Sequence, residues 1–144
     1  EFIAGWKNKD IDEIWQAYFE ATEAMAKSGK FDIVGHLDLI KVFKFLPKQD
    51  VRLLAKDALQ AIKKSNMVLE VNTAGLRKPI GELYPSRELL EEAYALDIPI
   101  TFSSDAHAVD QVGFSYDIAI TLAKEVGYTK AATFEGRDKK LVTF

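Results

Sequence analysis

Four short apolar runs recur along this chain at near-even spacing, with helical periodicity between them. They begin at Phe31, Val68, Ile98 and Lys130, roughly one every 30 to 37 residues, the length of one strand, one helix and their loops. That rhythm restricts the chain to an α/β class with a parallel sheet, because a parallel neighbour is reached only through a crossover, usually a helix. The strands expected are Phe31-Asp32-Ile33-Val34, Val68-Leu69-Glu70-Val71, the run from Ile98 to Ser103 and residues 130–134, with 141–144 as a last short edge.

Helices fill the intervals. In residues 10–27, Ile11, Ile14, Trp15, Tyr18, Phe19, Thr22 and Met25 fall on one face at the i, i+3, i+4 spacing. Residues 49–64 do the same with Val51, Leu54, Ala55, Ala58, Leu59 and Ile62. A third helix is expected from a Ser86 cap to about Leu96, and a fourth from about Gln111 to Val126, closed by Gly127.

Parallel strands place their C-terminal ends on one face, where ligands bind in open α/β sheets and in barrels. Those ends carry Gly35-His36-Leu37-Asp38, Asn72-Thr73-Ala74-Gly75, Ser104-Asp105-Ala106-His107 and Phe134-Glu135-Gly136-Arg137. Both histidines of the chain lie there. If strand geometry persists to its end, Asp105 and His107 point to the same side, and an oxygen ligand beside a nitrogen ligand suits a hydrolytic metal site.

Each residue has a plainer reading as well. His36 is either a structural hydrogen-bonder or a metal ligand, with Asp38 a second ligand or the acceptor that fixes the ring tautomer. Asp105 is either a helix cap or a ligand. Glu70, inside a strand, reads as a buried, hydrogen-bonded carboxylate. Asn72 shapes the turn after its strand or orients a ligand. Arg77 is either solvated or clamps an anionic substrate with its planar fork, and Lys41 and Lys44 are alternatives for that task. Arg137 reads as serving the fold. No G-x-S-x-G elbow and no glycine-rich phosphate loop appears.

Composition removes several classes. A net charge of −3 with no basic patch argues against nucleic acid. No apolar run approaches a membrane span. With no cysteine there is no disulfide, thiolate site or cysteine nucleophile, which fits a cytoplasmic protein. At 48% hydrophobic the chain can bury a real core. It begins at Glu1-Phe2 without an initiator methionine and reads as the continuation of something longer.

The runs Gly35-His36-Leu37-Asp38-Leu39-Ile40, Glu70-Val71-Asn72-Thr73-Ala74-Gly75-Leu76-Arg77-Lys78, Tyr84-Pro85-Ser86, Ser104-Asp105-Ala106-His107, Val126-Gly127-Tyr128 and Phe134-Glu135-Gly136-Arg137 together resemble the histidinol-phosphate phosphatases of the polymerase-and-histidinol-phosphatase (PHP) superfamily. The resemblance covers nearly the whole chain. It implies the C-terminal portion of a distorted seven-stranded β/α, TIM-like barrel, with residues 1–144 a single partial domain. It also implies two or three divalent metal ions (zinc, manganese or iron) in the full barrel, with His36, Asp105 and His107 among the ligands and Asp105 and His107 at the catalytic centre. Arg77 matches a position that contacts substrate phosphate, and Asn72 and Lys41 join it as expected substrate contacts. The implied reaction is hydrolysis of L-histidinol phosphate in histidine biosynthesis.

The family opens with a His-x-His strand, further histidines and a glutamate, and none of these is present. The expectation is therefore a fragment, inactive alone, whose partner is the missing N-terminal half or a second chain. A half-barrel would expose two sheet edges and an apolar interior. The competing readings are a PHP-type nuclease or phosphoesterase, and a non-catalytic α/β module binding a small anion or a partner.

Overall fold

The computed structural model describes residues 10–144; the loop expected around Glu1-Phe2 lies outside them. Helix α1 spans Ile11–Lys27 and begins where Asp10 turns its carboxylate onto the Asp12 amide at 3.0 Å. Strand β1 is Ile33–Val34, α2 is Val51–Lys64, β2 is Val68–Asn72, α3 is Arg87–Ala95 and β3 is Ile100–Ser103. Helix α4 spans Tyr116–Val126, followed by β4, Lys130–Glu135, and β5, Asp138–Thr143.

The sheet runs in chain order, β1-β2-β3-β4-β5, with the first four strands parallel and β5 antiparallel to β4. A doubly wound sheet reverses its order at a switch point. Here there is no reversal, so right-handed crossovers put every helix on one side. Neighbouring helices pack in sequence, α1 on α2, α2 on α3, α3 on α4. Among the described residues the result is an open sheet that does not close into a barrel.

Alternation along the strands sorts the two faces. Val34, Leu69, Val71 and Ile100 turn to the helices, where Trp15, Phe19, Leu59, Ile62, Leu89 and Leu90 complete the core. Each such large side chain contributes about 2 kcal/mol on burial. Glu70 and Thr101 are register partners on the opposite face. The sheet ends in two edges, and at β1 Phe31 and Ile33 stay 53% and 40% exposed.

Three local expectations are corrected. Helix α4 starts at Tyr116, not near Gln111, because residues 109–111 form a single 3₁₀ turn and Gly113 and Ser115 both take positive φ. The last edge is longer than residues 141–144: it forms a hairpin with β4 through Gly136, at φ +59°. The third difference concerns Arg137, expected at the C-terminal face. It bonds Asp32 at 2.8 and 3.1 Å, while Lys139 reaches Asn66 at 2.8 Å. Asp32 and Asn66 precede β1 and β2, so the hairpin tip lies toward the opposite end of the sheet. Its pairing explains this, since β4 follows β3 through only one register pair before diverging.

Candidate metal and phosphate site

The face formed by the ends of β1, β2 and β3 gathers the polar residues singled out above. Strand β1 ends at Val34, and the chain turns sharply at His36, whose φ is +30°. The His36 amide donates to Glu70 Oε2 on β2 at 2.7 Å, and its carbonyl accepts from the Leu39 amide at 3.0 Å. The ring's Nδ1 is buried with no hydrogen-bond partner. An imidazole nitrogen left so is a candidate ligand atom.

Glu70 is half-buried and accepts from both His36 and Asn72 Nδ2, the latter at 3.0 Å, as its strand position led one to expect. The Asn72 Oδ1 also accepts the Ala74 amide at 2.8 Å, and its backbone pairs with Tyr84, so it shapes the turn after β2.

Asp38 does not touch the His36 ring. Its Oδ2 accepts the Ser86 amide at 2.9 Å and the Lys41 ammonium at 3.0 Å. Burial raises its carboxyl above the ordinary 3.8, although Lys41 and the Ser86 amide pull it back. Lys41 is 3% exposed, and its three protons meet Asp38, the Leu83 carbonyl at 2.7 Å and Glu82 at 3.0 Å. The expected substrate contact at Lys41 is thus a strut between the loops after β1 and β2. The i, i+3 spacing of Asp38 and Lys41 on a helical turn is the sequence signal that would have shown it. Ser86 starts α3 by position, but its hydroxyl makes no cap; the Asp38 carboxylate serves that amide end instead.

Strand β3 stops at Ser103. Asp105 takes φ +47° and is exposed, as is His107, so strand alternation does not align the two carboxylate and imidazole groups. What joins them is the His107 ring, whose Nδ1 lies 2.9 Å from the Asp105 carbonyl. A carbonyl only accepts, so Nδ1 carries a proton, and in the neutral ring the lone pair is then on Nε2, a tautomer suited to metal binding. The His107 amide donates to Gln111 Oε1 at 2.9 Å.

Arg77, at the end of the 3₁₀ turn Ala74–Arg77, reaches across to this loop. Its Nη2 donates to the Ser104 and Asp105 carbonyls at 2.8 and 3.0 Å, and its guanidinium lies 5.3 Å from the Phe114 ring. Its Nη1 is buried without a partner, a donor left for an anion.

The donor set suits a divalent ion of borderline softness, with two imidazoles and a carboxylate. Among the described residues no three His, Asp or Glu side chains converge into a complete cluster. The strand order gives the reason, since β1 and β3 flank β2 and lie two strand spacings apart, about 10 Å.

Fold and site therefore define a run of β/α units with candidate ligand groups at the strand ends. A family model for the PHP domain matches residues 1–74, and the chain belongs to the PHP domain family. It is similar to a Deinococcus radiodurans protein named probable histidinol-phosphatase, 37% identical over 137 residues, covering 95% of this chain and 52% of that protein. The Bacillus subtilis histidinol-phosphatase is 34% identical over 116 residues, covering 74% and 43%. Among solved structures, the Lactococcus lactis histidinol phosphate phosphatase complexed with zinc, L-histidinol and phosphate superimposes with a TM-score of 0.73 at 25% identity, covering 92% of this chain and 53% of that one. The chain thus spans about half the length of the curated relatives it matches. No helix among the described residues is long and apolar enough to cross a membrane.

Proposed function

We propose that this chain is part of a metal-dependent phosphomonoesterase that hydrolyses L-histidinol phosphate to L-histidinol and phosphate, a step of histidine biosynthesis. The observation that carries the reading is the pair of imidazoles with uncommitted nitrogens at one strand-end face, in a chain similar to histidinol phosphatases over most of its length. His36, Asp105 and His107 would hold part of a centre of two or three divalent ions, zinc, manganese or iron. When bound, that centre supplies Lewis-acid stabilisation of the phosphoryl oxygens and an activated water.

The chain's own groups do the rest. Arg77 offers its free Nη1 to a phosphoryl oxygen while Nη2 holds the loop of Asp105 in place. The Asp105 carbonyl keeps a His107 proton on Nδ1, which in the neutral ring leaves the Nε2 lone pair for a metal. We read the remaining ligands as lying in an N-terminal half, and place the enzyme in the cytoplasm on its cysteine-free composition.

The test is phosphate release from L-histidinol phosphate by the full-length protein, after chelation and again after zinc or manganese is restored. Metal-dependent release that His36→Ala and His107→Ala each abolish is the expected result. A metal-loaded full-length protein that releases no phosphate overturns the assignment.

A further inference from the structure

His36 carries its imidazole on a backbone conformation that a side-chain-bearing residue rarely adopts, φ +30°. Such a turn persists only where neighbours hold it. On the carbonyl side the holding is local, through the Leu39 amide, with the Tyr18 hydroxyl at 3.5 Å. On the amide side it comes from the next strand, where Glu70 Oε2 takes the N–H at 2.7 Å. The carboxylate lies so close over the turn that a Cβ on Gly35 would stand 3.4 Å from the same oxygen.

That oxygen is itself aimed. Asn72 Nδ2 donates to it at 3.0 Å, and Asn72 is fixed by the Ala74 amide and by its backbone pairing with Tyr84. A continuous set of hydrogen bonds therefore runs from the loop after β2, through Asn72 and Glu70, to the peptide that sets the direction of the His36 ring.

We propose that Glu70 is a positioning residue for His36: it fixes the Gly35–His36 turn so that the imidazole meets a metal ion at the strand-end face, and does so by reach rather than by charge. The proposal rests on reading His36 as a metal ligand. Outer partners of this kind, when removed, lower metal affinity or activity by about 10- to 100-fold.

Three substitutions separate reach from charge. Glu70→Gln keeps the length and one acceptor oxygen and loses the charge. Glu70→Asp keeps the charge and draws the acceptor back by one methylene. Glu70→Ala removes both. In the full-length protein, zinc affinity and kcat for L-histidinol phosphate are expected to stay within about threefold of wild type in Glu70→Gln and to fall about 10- to 100-fold in Glu70→Asp and Glu70→Ala, with KM changing less. In the 144-residue chain, hydrogen exchange at the His36 amide stays slow in Glu70→Gln and accelerates in the other two.

The reverse order, with Asp active and Gln impaired, overturns the proposal, as does wild-type zinc affinity in Glu70→Ala. Should Glu70→Ala fail to fold, the Gln and Asp variants decide alone. If the wild-type enzyme binds zinc yet releases no phosphate from L-histidinol phosphate, the substrate assignment falls, and zinc affinity with His36 exchange still decides the role of Glu70.

Discussion

Asp38 and Ser86, 48 residues apart in the chain, are joined by a bond of 2.9 Å from the Ser86 amide to the Asp38 carboxylate. Lys41 completes the join by spanning Asp38, Glu82 and the Leu83 carbonyl. The loop that presents His36 is thereby clamped to the loop that follows β2. Removing Asp38 leaves the buried Lys41 ammonium with only the exposed Glu82 as its counter-charge, which costs more than the pair contributes. Asp38→Ala should therefore lower unfolding free energy by about 3 kcal/mol, read from the urea midpoint. A shift below about 0.5 kcal/mol, the level of an ordinary surface change, would sink the idea that this clamp holds the two loops together.

The turn after β2 has almost no room. A Cβ on Gly75 would lie 1.9 Å from the Glu82 carbonyl oxygen and 3.1 Å from two Tyr84 ring carbons. The nearest obstacle is backbone, which cannot swing aside as a side chain would. Gly75→Ala is expected to destabilise by about 3 kcal/mol through overpacking, with the Tyr84 backbone displaced from Asn72. An unchanged thermal midpoint would mean that the loop at Glu82 is free to retreat.

At the other end of the sheet, Arg137 bonds the Asp32 carboxylate, and holds its carboxyl below the ordinary 3.8. A carboxyl lowered in the folded state contributes stability that is present above pH 3.8 and is lost as pH falls through the depressed value. Carbon-detected NMR should show Asp32 titrating below 3.8 in the wild type and returning to about 3.8 in Arg137→Gln. Added salt should narrow the difference, because the pair is exposed. Equal titration in the two proteins would show that the hairpin tip does not dock on Asp32.

The sequence carried the rhythm of the fold better than its punctuation. Apolar spacing in residues 10–27 and 49–64 is a local property, and α1 and α2 follow it to within two residues. The hairpin of β4 and β5 was not read as one, since the edge expected at 141–144 starts at Asp138, and only the glycine of a two-residue gap marks the turn. What no local pattern announces is where that hairpin points, since a single register pair with β3 sets its path. Around the candidate site, the position of the two histidines after β1 and β3 was legible from the strand runs. The non-local contacts were not: Lys41 with Glu82 and the Leu83 carbonyl, Asn72 with the Tyr84 backbone and Glu70 with the His36 amide each cross to another loop or strand, whereas the Asp38–Lys41 and Asn72–Glu70 contacts are local spacings that could have been read. Asp105 and His107 show the limit of the alternation rule: the strand ends two residues too soon for it to apply.

Arg77 stands between two roles, and one substitution separates them. Its Nη2 ties down the Ser104 and Asp105 carbonyls, while Nη1 is buried and unclaimed. Lysine keeps a positive charge but replaces the rigid fork with a point charge on a flexible stem, so it cannot serve both carbonyls and an anion in the same geometry. On the proposed function, Arg77→Lys in the full-length protein should lower kcat/KM for L-histidinol phosphate by about 100-fold, the loss of one or two charge-assisted bonds. Inhibition by inorganic phosphate should weaken in parallel, because phosphate meets the same donor without the rest of the substrate. If kcat falls while phosphate inhibits as before, Arg77 acts only on the loop of Asp105, and the anion must be held by another group. If both fall together, the free Nη1 is where the phosphoryl group is gripped.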